Sequence, residues 1–167
     1  LCCKLLAIDA LGKPEGRWCR HWSAGHRCGI YAERPGECRT FNCDWLLFPE
    51  LGPEWKPDRS KIVLCTDAAR KRVVAFVDPA FPGAWRAPPF FRKFKQLAHM
   101  AAAHGGQVLI RIGGRTVVVL PDGEVDLGVT ASDAAITVER TAEGWRVRVQ
   151  ERTEGVARTP ARAGTVA

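Results

Sequence analysis

The chain has 167 residues, 46% hydrophobic and 26% charged, with a formal net charge of +7. That balance excludes wholesale disorder and suits one small domain, or a small module beside a modest one. No apolar run approaches the ~18 residues a membrane span needs, and no secretory signal is visible, which predicts a cytoplasmic protein with no membrane partner. Met100 is the sole methionine, so a chain that was processed, trimmed or taken from a partial reading frame is expected.

In chain order, Cys2 to Leu11 reads as a short helix ended by Gly12 and Pro14. Pro35 suits the first position of a second helical turn running through Cys38 towards Trp45. Cys38 and Cys43 are five residues apart and do not share a helix face, so a bend or helix end is expected between them if both bind one metal. Residues 46–60 carry Pro49, Gly52, Pro53 and Pro57 and read as a linker without a regular element. Ile62 to Cys65 and Arg72 to Val77 predict a hairpin. The spacing of Phe90, Phe94, Leu97 and Ala101 predicts a helix from Phe90 to His104, ended by Gly105-Gly106. Val108–Ile112 and Thr116–Leu120 predict a second hairpin around Gly113-Gly114-Arg115. Asp122, Glu124 and Asp126 read as a solvated acidic loop. A third hairpin pairs Ala135–Arg140 with Trp145–Gln150, whose apolar and arginine residues alternate. The fold class is therefore α+β: a cysteine-rich module over residues 1–46, a domain of hairpins with one main helix over 47–150, and a polar tail over 151–167 that frays.

The charge excess sits mid-chain, around Arg70, Lys71, Arg72 and around Arg92, Lys93, Lys95. A basic face of this kind can attract nucleic acid, but charge runs are usually solvated surface, and no exposed aromatic platform for single strands is evident. No Walker sequence or Gly-x-Ser-x-Gly elbow is present. His99 and His104 are poorly spaced for joint ligation.

The feature that carries chemistry is the concentration of cysteine. Of seven cysteines, Cys2, Cys3, Cys19, Cys28, Cys38 and Cys43 fall within the first 43 residues. Thiolates are soft, strong ligands for zinc and for iron–sulfur clusters, so the six form a candidate metal site. There is no Cys-x-x-Cys pair, hence no standard zinc finger or ferredoxin run. Disulfides would suit the even number but want an oxidising compartment; simple core cysteines are a third reading. His21 and His26 flank the cluster as further donors or plain surface residues. Arg17, Arg20, Arg27, Arg34 and Arg39 either offset thiolate charge or simply face solvent. Cys65, in a predicted strand, reads as a buried core thiol.

Cys2-Cys3-Lys4-Leu5-Leu6, then Cys28-Gly29-Ile30-Tyr31, Glu33-Arg34-Pro35 and Cys38-Arg39-x-Phe41-x-Cys43, resembles the cysteine-cluster family of zinc- or iron-chelating (YkgJ-like) proteins. The resemblance covers residues 1–46. It implies metal chelation by the cysteines, with Arg34-Pro35 shaping a turn between ligands and Tyr31 and Phe41 packing over the site. The expected function is that of a metal-chelating protein holding zinc, iron or an iron–sulfur cluster. Two other classes stay open: an enzyme with an open metal position in a pocket between module and hairpins, and a basic adaptor for nucleic acid.

Overall fold

A computed structural model describes residues 1–150; the expected tail over 151–167 lies outside the described residues. In chain order the elements are α1 (Cys2–Leu5), β1 (Trp22–Ser23), β2 (Arg27–Cys28), α2 (Gly36–Thr40), α3 (Asp44–Leu47), α4 (Pro57–Ser60), β3 (Ile62–Asp67), β4 (Arg72–Val77), α5 (Phe90–Ala103), β5 (Gln107–Ile112), β6 (Arg115–Val119), β7 (Glu124–Val129), β8 (Ala135–Thr141) and β9 (Gly144–Gln150). The protein is mixed α+β, with a five-stranded sheet in the order β3-β4-β5-β6-β7 and one main helix.

The three predicted hairpins form. β3 pairs antiparallel with β4, β5 with β6, and β8 with β9. The β5–β6 turn places Gly113 at φ 57° and Gly114 at φ 93°; two positive φ values in a two-residue loop match strand twist and suit glycine. The first two hairpins merge into one sheet because β4 and β5 run parallel, with α5 as the crossover. The end of α5 is a Schellman arrangement. Gly105 is left-handed, the Gly106 N–H donates to Ala101 O at 2.7 Å, and the Gly105 N–H donates to Ala102 O at 3.4 Å.

Strand alternation divides the sheet into two faces. On one, Ile62, Leu64, Ala75, Val77, Val108, Ile110, Val117 and Val119 pack against Trp55, Trp85, Phe90, Phe94 and Ala98. On the other, Val74, Leu109, Val118 and Leu120 are covered by Ile136, Val138, Trp145 and Val147 of the β8–β9 hairpin. A third cluster, Leu5, Cys43 and Val63 with Phe41, Cys65 and Phe76 beside it, ties the cysteine-rich segment to the edge strand β3.

Four expectations need correction. The helix read over Cys2 to Leu11 breaks after Leu5: Leu6 is extended, and the chain turns back so that Ile8 bridges Lys13. The helical turn begun at Pro35 ends at Thr40, since Phe41 is extended, and α3 restarts at Asp44, so a helix end separates Cys38 from Cys43. Residues 46–60 are not free of regular structure, because Pro53 and Pro57 each open a helical turn, a place where a missing N–H costs nothing. The acidic loop is strand β7 over most of its length. Glu124 and Asp126 point outward while Val125 and Leu127 pack on the inner face, an alternation the charges disguised.

Candidate metal centre

The six expected ligands lie on separate short elements. Cys2 and Cys3 are on α1, Cys28 on β2 and Cys38 on α2; Cys19 lies in the loop before β1, and Cys43 is the residue before α3. Cys19 and Cys43 are buried, Cys3, Cys28 and Cys38 half-buried and Cys2 exposed; all seven cysteines are free thiols. Backbone bonds draw three of them together. The Cys19 N–H donates to Cys3 O at 2.9 Å, the Trp22 N–H donates to Cys19 O at 3.0 Å, and Trp22 stands opposite Cys28 in the β1–β2 ladder.

The thiols act on one another. The Cys3 side chain lowers its neighbour Cys2 to about 6 and is itself raised by Cys2, with burial and the like charges of Cys2 and Cys28 pushing Cys3 the same way. Cys38 is raised by burial and then by Cys19, Cys2 and Cys28. Cys2, Cys3, Cys19, Cys28 and Cys38 thus form one electrostatic neighbourhood. Cys43 stands apart with Cys65. Burial raises the Cys65 thiol, and Asp44, Cys43 and Cys2 add to it. Cys65 is half-buried against the Leu5–Cys43–Val63 cluster rather than sealed in the sheet core, so its surroundings are those of the cysteine segment.

All the cysteines are free thiols, the donor type that soft metals favour. Their positions do not form a finished shell. Among the described residues, no group of three His, Cys, Asp or Glu side chains stands ready to hold a metal ion. A cavity of about 50 Å³ lies between the second sheet face and the segment entering β8, lined by Arg72, Phe76, Arg111 and Ile136 among others, with no cysteine.

The arginines around the cluster are mostly engaged elsewhere. Arg39 donates to Arg34 O and Ala32 O, both at 2.8 Å, and Arg34 donates to Tyr31 O at 3.1 Å, so the pair staples the loop before α2. Arg20 donates to Leu11 O at 2.9 Å. Tyr31 does not pack over the site: it is 67% exposed, with the Arg34 guanidinium 3.8 Å from its ring centre. Phe41 does pack beside Cys43. Trp18 and Trp22 stack at 3.7 Å on either side of Cys19 in the chain, and Lys4 lies 5.7 Å from the Trp18 ring. His21 is half-buried and His26 exposed.

Several residues that the sequence did not mark hold this segment in place. Asp44, buried, accepts from the Thr66 N–H at 2.9 Å and from Thr66 Oγ1 at 2.8 Å, fixing α3 to β3. Lys4 pairs with Asp78 at 2.6 Å. Glu15 pairs with the buried Arg111 at 3.0 Å, and Arg111 also donates to Thr116 and Thr130. Only a signal of polar residues placed among apolar ones could have flagged them. In the basic stretches, Arg70 and Arg72 both pair with Asp67, and Lys95 donates to Leu120 O and Gly123 O; that leaves less free charge than the sequence suggests. No helix among the described residues is long and apolar enough to cross a membrane.

No family model, curated protein or solved structure matches this chain.

Proposed function

We propose that the protein is a metal-chelating cysteine-cluster protein, similar to the YkgJ-like family, whose residues 1–46 hold zinc, iron or an iron–sulfur cluster through Cys2, Cys3, Cys19, Cys28, Cys38 and Cys43. The observation that supports this most is the mutual influence of five free thiols presented by four separate stretches of chain. A core has no need to gather them so, and an unoccupied cluster of thiols costs stability through like-charge repulsion once they ionise. Completing a coordination shell asks the thiols to turn towards a common centre. α1, β2 and α2 are short and joined by loops, so such a movement disturbs little of the sheet.

Bound zinc would act as a structural cross-link or a Lewis acid, and a bound cluster would carry electrons. The chain's own residues supply the ligands, the Trp18–Trp22 stack and Phe41 beside them, and the anchors to β3, β4 and β5. Free thiols in this number belong in a reducing compartment, which favours the cytoplasm.

The test is metal and sulfide analysis with visible absorbance on anaerobically purified protein. Stoichiometric zinc without colour, or iron with sulfide and broad visible absorption, is the expected result. Protein carrying neither metal nor the capacity to take one up, with its cysteines paired as disulfides, would overturn the reading.

A further inference from the structure

Between α4 and the loop that leads into α5 lies an open cleft of about 530 Å³, lined by no cysteine. Its apolar wall is made by Phe81, Pro82, Ala84, Ala87 and Phe90. Phe81 is 51% exposed, and Pro82 and Ala87 are exposed with it. Contiguous apolar surface that faces water marks interaction sites on soluble proteins. Backbone hydrogen bonds fix this wall. The Asp78 N–H donates to Lys61 O at 2.9 Å, the Phe81 N–H to Asp78 O at 2.8 Å, the Ala84 N–H to Phe81 O at 3.0 Å and the Phe90 N–H to Ala87 O at 2.9 Å. A surface tied in this way loses little freedom when something docks on it.

The charges at the cleft are of one sign. No lining residue is acidic, and Arg59 and Lys61 are the two charged ones. Arg59 is exposed and makes no ion pair among the described residues. The adjacent carboxylate, Asp58, stands 3.4 Å from Lys56. Lys61 takes a left-handed backbone, φ 62°, uncommon for a residue with a side chain. Its Nζ donates to Asp58 O at 2.6 Å and lies 5.4 Å from the Phe81 ring centre. The Ser60 hydroxyl, also in the lining, is taken up by the backbone: it accepts from the Ile62 N–H at 3.1 Å and lies 3.2 Å from Trp55 O. An apolar wall beside two cations, with no anion, is complementary to an apolar side chain flanked by carboxylates.

We propose that this cleft docks an acidic peptide segment of a partner protein. An aromatic or aliphatic side chain of the segment rests on Phe81 and Pro82, and neighbouring carboxylates face Arg59 and Lys61. An open cleft suits a stretch of chain better than a small molecule, which needs most of its surface enclosed. The proposal does not depend on the metal-chelating reading.

The test is selection of displayed random peptides against the full chain, followed by fluorescence anisotropy with the recovered peptides. Gly83 supplies the blocking variant. It lines the cleft at an ordinary φ of −87°, and a Cβ there meets nothing within 4 Å. Gly83→Leu should fill the cleft and abolish binding at unchanged Tm. The recovered peptides should carry Asp or Glu beside an apolar residue and should bind more weakly as salt rises. Arg59→Glu should weaken them by about 3–10-fold, the scale of reversing an exposed charge contact; it carries the test if Gly83→Leu does not fold. Failure to enrich any peptide, recovery of peptides without acidic residues, or equal binding to the parent and both variants would overturn the proposal. A parent that dimerises in sedimentation while Gly83→Leu stays monomeric would place a second copy of the chain in the cleft and overturn the peptide partner.

Discussion

The neighbouring thiols of Cys2 and Cys3 shift one another in opposite directions, Cys2 down to about 6 and Cys3 up. In the reduced, metal-free protein, iodoacetamide at pH 7 should modify Cys2 ahead of both Cys3 and Cys65, because the Cys2 thiol is lowered while those of Cys3 and the buried Cys65 are raised. Peptide mass spectrometry over time reads the order. Cys2 reactivity should fall as pH drops through about 6, and Cys3→Ala should move that midpoint upward towards an ordinary thiol. Equal rates at Cys2 and Cys65 would contradict the assignment. The candidate ligands were legible in the sequence because cysteine is rare and chemically marked.

At the scale of elements, two contacts decide how the pieces join. Gly106 lets the end of α5 pass close to β4; a Cβ there would sit 2.6 Å from Lys71 O. Gly106→Ala should therefore lower stability by about 1–3 kcal/mol, the range for a change forced against backbone, measured as a shift in the urea midpoint at unchanged slope. Asp44→Ala leaves the Thr66 N–H and hydroxyl without their charged acceptor. It should cost about 1.5–3 kcal/mol and raise hydrogen exchange at Thr66 more than at Val118; uniform exchange would argue against a local joint. The hairpins and α5 could be read from alternation and helical spacing. The parallel β4–β5 pairing that fuses two hairpins could not, because local pattern does not say which strands become neighbours. Strand β7 was hidden because its outward positions, Glu124 and Asp126, resemble a turn when Val125 and Leu127 are given too little weight.

In the whole molecule, the cysteine-rich segment is held to the sheet by polar joints as well as by the Leu5–Cys43–Val63 cluster. Glu15–Arg111 and Lys4–Asp78 are both largely buried, at 3.0 and 2.6 Å. Removing one partner of such a pair strands the other charge, so Glu15→Ala should cost about 3–5 kcal/mol. Replacing Glu15 and Arg111 together with apolar residues should cost less than Glu15→Ala alone, which a double-mutant cycle on thermal melts would show. With these joints intact, segment and sheet should unfold in a single transition, and a ligand bound by the segment should stabilise both.

The most direct test of the central claim is X-ray absorption at the metal edge of the anaerobically prepared, metal-loaded protein, because it counts the donor atoms. The account predicts a shell dominated by sulfur, near about 2.3 Å if the metal is zinc, that loses sulfur scatterers in serine variants of Cys3, Cys19 or Cys28. A shell of nitrogen and oxygen alone, unchanged by those substitutions, would contradict it.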